Sequence, residues 1–281
     1  MNRDVARQWI TMLTIVALIV MNILANALPL NGISTATISD SFKVYFVPAG
    51  YVFAIWGLIY VGLLAYGIYQ ALPAQKENPR LRRAAAPFVV GSLANIAWLF
   101  FWHYGQFALT VVAMLILLAS LIMVYLILGV NQVQVSKGER WLVHVPISVY
   151  LGWISVATIA NITNVLWYAG WSGFGLAPEV WAVIMLAVAV VLAFLMALRR
   201  GDVAYLLVLA WAFAGIAVKQ AAQGLIKKGV AVTEGILNRV EMAFRLYDPC
   251  FGCATHTLPG QMPLTIQIHD STGEVIQVIR R

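Results

Sequence analysis

Residues Phe46–Gln70 read FVPAGYVFAIWGLIYVGLLAYGIYQ, and this stretch decides the fold. It carries no charged side chain and stays apolar for its whole length, with Pro48 near its start. Hydrocarbon about 30 Å thick needs roughly 20 apolar helical residues, so the stretch reads as a membrane span. Phe53, Trp56 and Tyr60 fall at i, i+3 and i+7 and share one helical face. Such a stripe serves either ordinary helix packing or a ligand, and the stretch alone does not choose.

The rest of the chain extends this reading. Hydrophobic residues make up 62% of it and charged residues 10%, against about 25% charged in soluble domains. Mean hydropathy is +0.85. These values define an integral membrane protein. The start, MNRDVARQWITMLTIVALIV, has a basic head and a long apolar run without a small-x-small cleavage site behind it. An uncleaved first span is expected there.

Seven apolar runs qualify as spans: residues 9–28, 48–70, 84–103, 107–129, 141–167, 179–198 and 203–218. Arg3 and Arg7 precede the first; Lys76, Arg80, Arg82 and Arg83 fill the second loop. Lys137 and Arg140 lie in the fourth loop, Arg199 and Arg200 in the sixth. The first loop sets Lys43 against Asp40, and the third and fifth hold no Lys or Arg. By the positive-inside rule the N-terminus and the even loops are expected in the cytoplasm, in a prokaryotic inner membrane. An odd number of spans then puts everything after residue 218 outside.

This orientation sorts the polar and aromatic residues by depth. Asn22 and Asn26 sit toward the outer end of the first span, Phe53 and Trp56 toward that of the second. Asn95, Trp98 and Trp102 form a stripe climbing to the outer surface in the third. In the fifth, Tyr150, Trp153, Ala157, Asn161 and Asn164 share a face, with Trp167 at the rim. Amides in hydrocarbon must be hydrogen-bonded, so these should face the bundle interior. They act either as interhelical ties worth about 1 kcal/mol or less, or as the wall of a pocket for a flat, amphipathic, aromatic ligand. His103 and His144, at span ends, are expected to be satisfied interfacial histidines.

Tyr150-Leu-Gly-Trp153-Ile-Ser-Val-Ala157-Thr158-Ile-Ala-Asn161 resembles the Y-L-A-W-x-x-x-A-T-x-x-N signature of the TspO/MBR family of tryptophan-rich sensory proteins. Asn95-Ile-Ala-Trp98-Leu-Phe-Phe-Trp102 is similar to its N-x-x-W-x-x-x-F helix, and Phe53-Ala-Ile-Trp56-Gly-Leu-Ile-Tyr60 to the aromatic start of its second helix. The family's P-V-W-T stands here as Ala54-Ile55-Trp56-Gly57, and two further spans follow the usual five. The resemblance implies a TspO-like five-helix core and a homodimer. It also implies binding of a porphyrin-like tetrapyrrole or sterol-like lipid for sensing or transport. The candidate ligand-binding residues are Asn26, Phe53, Trp56, Tyr60, Asn95, Trp98, Trp102, Tyr150, Trp153, Asn161 and Asn164. The expected partners are membrane lipid, a hydrophobic small molecule and a second copy of the chain, and not nucleic acid.

After Val218 the composition changes abruptly. Lys219–Arg281 holds charges, turn residues and both cysteines of the chain, Cys250 and Cys253. Glu234–Tyr247 can form an amphipathic helix, and Leu264–Ile268 with Glu274–Ile279 reads as a hairpin around Asp270-Ser-Thr-Gly273. A lone C-x-x-C reads as a redox pair, half a zinc site or part of a larger metal site. Its context, LNRVEMAFRLY then DPCFGCATH and PGQMPL, resembles the C-terminus of the large subunit of nickel–iron hydrogenases. That resemblance implies Cys250 as a terminal nickel thiolate and Cys253 as a nickel–iron bridge. His256 becomes a magnesium ligand and Thr257–Arg281 a cleaved maturation peptide. The family's other two cysteines come from an N-terminal pair, and no cysteine precedes residue 250 here. The expectation is therefore a tail that is inactive alone.

The expected fold is an all-α membrane protein, a seven-span helical bundle with a small C-terminal α+β tail. Residues 1–218 form the TspO-like domain, 219–222 a junction and 223–281 the hydrogenase-like fragment, as in a fusion. Two functions follow, a ligand-binding membrane protein or, as the alternative, a nickel–iron hydrogenase fragment.

Overall fold

The structure is a computed structural model that describes residues 2–28 and 30–222 and the two strands 265–269 and 275–280. The chain divides into two units, Met1–Ile226 and Lys227–Arg281.

The first unit is all helical among its described residues. Helix α1 (Arg3–Ala27) is followed by the short α2 (Thr35–Ser41). A 3₁₀ turn, Gly50–Ala54, leads into α3 (Ile55–Ala71). Then come α4 (Pro79–His103), α5 (Phe107–Leu128) and a single turn, α6 (Lys137–Glu139). A π turn over Arg140–His144 joins α6 to α7 (Val145–Tyr168), and α8 (Pro178–Arg200) and α9 (Val203–Ala222) complete the unit. Among the described residues seven helices are long and apolar enough to cross a membrane. This unit is an all-α integral membrane bundle.

Local chemistry sets the helix ends. The Asn78 side chain accepts from the amides of Arg80 and Leu81, with Pro79 as the first helical residue of α4. Gly201 ends α8 with φ at +58°, a left-handed turn that any side chain would strain. Pro146 has no N–H to give the carbonyl four residues back, and the hydrogen-bond ladder widens into the π turn just before it.

Helix α4 packs between α1 and α5, α5 packs on α7, and α7 packs on α3 and α9. The buried core runs through Ile15, Leu18, Leu63, Tyr66, Phe88, Leu117 and Leu121. By contrast α8 buries Ala189 alone, as expected of a helix whose surroundings are lipid rather than protein. Helix α9 is firmly seated. An added Cβ at Gly215 would collide with Val52, and one at Gly152 on α7 would lie 3.1 Å from Val208. Small residues thus let the backbones approach.

The basic loops gather at one end of the bundle. Arg7 donates to the Lys76 carbonyl at 3.0 Å, Arg82 pairs with Asp4 at 2.6 Å, and Arg80 pairs with Glu139 at 2.7 Å. At the other end, Lys219 pairs with Asp40 at 2.7 Å and Tyr45 donates to Glu179 at 3.0 Å.

Several boundaries differ from the sequence expectations. The first span starts at Arg3, the third at Pro79 and the fifth at Lys137, because amphipathic or capped turns extend each helix beyond its apolar run. The last helix reaches Ala222 rather than 218, since Lys219 and Gln220 bond to the first loop. Helix α2 was not expected at all.

In the second unit, strands β1 (Thr265–His269) and β2 (Val275–Arg280) pair antiparallel, with Thr265 opposite Arg280 and a register shift at Ile268/His269. Each begins one residue after its expected position. The Glu234–Tyr247 helix, the Asp270–Gly273 turn, Cys250, Cys253 and His256 all lie outside the described residues.

Candidate functional site

The aromatic stripes of α3, α4 and α7 converge. Trp98 and Trp102 of α4 stack with centroids 5.3 Å apart, and Trp56 and Tyr60 of α3 stack at 5.7 Å. Trp153 of α7 meets Phe53 edge-on at 5.7 Å and Trp56 at 6.3 Å. Between them lie two cavities that share Thr35, Phe53, Trp56 and Trp98. The larger, 440 Å³, is walled by Asn26 and Tyr60 as well, and its size suits a small-molecule site of about 300–1,000 Å³. The smaller, 60 Å³, reaches Asn95, Trp102, Trp153, Asn161 and Asn164. Of the eleven candidate residues, Tyr150 alone lies off both linings, and it packs against Trp56 at 6.1 Å.

The amides and indoles divide into two kinds. Some are closed on the protein: Asn22 donates to Asn95 at 2.8 Å, Asn161 to Thr110 at 3.0 Å, and Trp102 to the Thr35 carbonyl at 3.2 Å. Others are buried with no partner among the described residues. These are the indole N–H of Trp98 and of Trp153, the Tyr150 hydroxyl, and the side-chain oxygens of Asn161 and Asn164. An unpaired buried polar group costs about 1–3 kcal/mol. Five of them at one place form a wall that offers both donors and acceptors.

Helix α2 supplies what the sequence reading missed. Ser34 caps it by accepting from the Thr37 amide at 3.2 Å. Its Thr35 and Ser39 line the smaller cavity, and Phe42, just past its end, sits against Trp102, Phe107 and Trp167. The helix covers the cavity at the end of the bundle away from the basic loops. The available signals were Asn31-Gly32, a turn pair, and Ser34 three residues before Thr37.

The two histidines differ. His103 is satisfied as expected, with the Leu99 carbonyl at 2.8 Å and Thr35 at 3.4 Å. His144 is buried with its Nε2 unpartnered, against expectation.

Asp202, between α8 and α9, gives no sequence signal beyond that of one more loop charge, yet it is 1% exposed. Its Oδ2 accepts from Tyr125 at 2.8 Å and Ser148 at 2.7 Å, and its Oδ1 accepts from the Tyr205 amide at 3.1 Å. It caps α9 and ties three helices together. Among the described residues no group of three or more His, Cys, Asp or Glu could hold a metal ion.

Comparisons with known proteins give two separate likenesses. The chain is similar to an iron-sulfur subunit of the F420-non-reducing hydrogenase of Archaeoglobus profundus, 48% identical over 65 residues, which is 23% of this chain and 13% of that protein. It is similar to a subunit of the F420-non-reducing hydrogenase of Methanothermobacter marburgensis, 46% identical over 63 residues, 22% of this chain and 13% of the relative. To the NAD-reducing hydrogenase HoxS subunit beta of Cupriavidus necator it is 51% identical over 45 residues, 16% of this chain and 9% of the other. The chain thus spans only about an eighth of the length of the first two curated relatives. No solved structure matches. The model of the TSPO-like protein family matches residues 8–243, most of the first span, the other six and some twenty residues beyond them. The chain belongs to the TSPO-like protein family.

Proposed function

We propose that the membrane bundle binds a flat, hydrophobic, aromatic ligand carrying both hydrogen-bond donors and acceptors, in the cavity between α3, α4 and α7 under α2. A porphyrin-like tetrapyrrole has this chemistry, and a sterol-like lipid is the second ligand class that the family implies. The role is sensing or transport, with the N-terminus and the basic loops on the cytoplasmic face of a prokaryotic inner membrane and the protein a homodimer. The observation that carries the reading is the set of buried unpartnered groups on Trp98, Tyr150, Trp153, Asn161 and Asn164 beside the stacked indoles. Packing alone gives no reason to leave these open, because each costs stability until something bonds to it.

The test is titration of protoporphyrin IX into the purified protein, followed by its visible absorbance. Saturable binding is expected. The double variant Trp153→Phe with Asn164→Leu is expected to weaken it at least tenfold, which corresponds to about 1.4 kcal/mol. A folded double variant that binds as tightly as the parent would overturn the assignment.

A second reading concerns the tail, and the 46–51% identity to hydrogenase subunits favours it. Cys250 and Cys253 are soft thiolates of the kind that hold nickel and iron, with His256 as a third donor for magnesium. The chain has two cysteines in all, so it lacks the second pair that the resemblance calls for, and the donor set does not fit a complete bimetallic centre. The tail is read as a hydrogenase-like segment without activity of its own. Elemental analysis of the purified full chain checks this: metal-free protein is expected, and stoichiometric nickel that survives gel filtration would reverse the reading.

A further inference from the structure

A larger opening than the aromatic cavity lies elsewhere in the bundle. A groove of 710 Å³ runs along α9 beside α3 and α7. Its mouth at the basic end holds Arg140, His144 and Asp202, and its far end reaches Ile55, Leu58, Leu207 and Trp211. From Asp202 to Trp211 the helix rises about 13 Å, close to half of the hydrocarbon thickness. Leu58 (60% exposed) and Leu207 (65% exposed) form its rims. The groove therefore opens sideways, where acyl chains lie, with a polar mouth at the bundle end and apolar walls below.

Hydrogen bonding at the mouth is one-sided. The acceptors are taken: both Asp202 oxygens are bonded, and its charge sits at the N-terminus of α9, where the helix dipole offsets it. The Arg140 guanidinium and the His144 ring are left open. His144 Nε2 has no hydrogen-bond partner among the described residues, and it stands 4.0 Å from a Glu139 carboxylate oxygen already held by Arg80 at 2.7 Å. Arg7, Arg80, Arg82 and Lys219 each pair with a carboxylate, whereas the Arg140 guanidinium has no carboxylate partner among the described residues. Arg140 and His144 come together because they bracket the π turn that Pro146 induces. An occupant must bring acceptor oxygens at the mouth and an alkyl chain below.

We infer that this groove holds one anionic phospholipid, drawn from the leaflet at the basic end. Its phosphate lies on Arg140 and His144, and one acyl chain lies along Leu58, Leu207 and Trp211. The lateral opening makes the bilayer the source, and most anionic headgroups of a bilayer are phosphates. Basic pockets between spans are known to select such headgroups. A zwitterionic lipid would set its ammonium beside Arg140 and is disfavoured.

The experiment is native mass spectrometry of the full chain released from vesicles of equal phosphatidylglycerol and phosphatidylcholine. One retained phosphatidylglycerol per chain is expected, in clear excess over phosphatidylcholine. Arg140→Gln should cut this retention about fivefold, the effect of one cation at a membrane surface. Arg83→Gln, an exposed arginine of the same end, should leave it unchanged. Leu207→Trp, which fills the groove without touching a charge, should also reduce retention. Equal retention of the two lipids, or full retention by folded Arg140→Gln, would overturn the proposal. Displacement of the lipid by millimolar glycerol phosphate would overturn it too and assign the mouth to a soluble anion.

Discussion

Two buried polar clusters lie toward opposite ends of this bundle and treat their hydrogen bonds in opposite ways. Around Asp202 every oxygen has a donor, from Tyr125, Ser148 and the Tyr205 amide. Around Trp153 the donors and acceptors stand next to one another and stay open. Desolvation penalises both clusters, the Asp202 carboxylate most of all, and closure is what separates them. A closed cluster ties helices together. An open one, in a wall of stacked indoles, leaves its bonds unmade. Residue type alone would have ranked the two the other way, since a carboxylate in a membrane is the usual functional suspect.

The largest effect should come from Asp202→Ala. It strands two hydroxyls and an amide at once, with an expected loss of about 3 kcal/mol. Thermal unfolding in detergent measures it, and an unchanged midpoint would mean the cluster is not closed. At the open cluster, Asn164→Leu should do the reverse. Stability of the ligand-free protein should hold or rise by about 1 kcal/mol as an unpaired amide disappears. Affinity for protoporphyrin IX should fall about tenfold. A pair of identical substitutions sharpens the contrast further: Tyr125→Phe is expected to cost about 1 kcal/mol of stability, and Tyr150→Phe none. Equal effects in the two unfolding curves would erase the distinction. The smallest effect is at the cover. Trp102→Phe removes the bond to the Thr35 carbonyl, about 0.6 kcal/mol for a membrane hydrogen bond. Proteolysis between α1 and α3 should then become faster, and an unchanged rate would mean that α2 is held by packing alone.

The sequence made the bundle legible because the bilayer imposes a length. Apolar runs near Phe46–Gln70 and its six counterparts can satisfy their backbones only as helices, and the Lys and Arg of alternate loops do gather at one end. The aromatic wall was legible for a related reason, since i, i+3, i+7 spacing fixes a face and Trp56, Trp98 and Trp153 each keep theirs. Other features depend on tertiary contacts, which no period records. Asp202 looked like loop polarity because Tyr125 and Ser148 lie 77 and 54 residues away. Helix α2 was hidden by polarity: Thr35, Ser39 and Asp40 give no apolar period, and the helix is kept by its Ser34 cap and by Trp102. His144 was misjudged because the π turn that strands its Nε2 is set by Pro146, two residues later.

The fastening of the last helix to the first loop also sets an order of events during synthesis. Lys219 reaches Asp40, Gln220 reaches the Tyr45 carbonyl, and the Gly215 carbonyl accepts from Ala49. Tyr45 and Gln220 are 175 residues apart. At about 5–20 residues per second, translation needs roughly 10–35 s to bring the second to the first. Until then six spans can be in the bilayer while the cover of the cavity is still untied. A nascent chain therefore completes the cover of its cavity only when nearly all of the bundle has been made, so the binding proposed for that cavity would report a finished protein and pass over a truncated one.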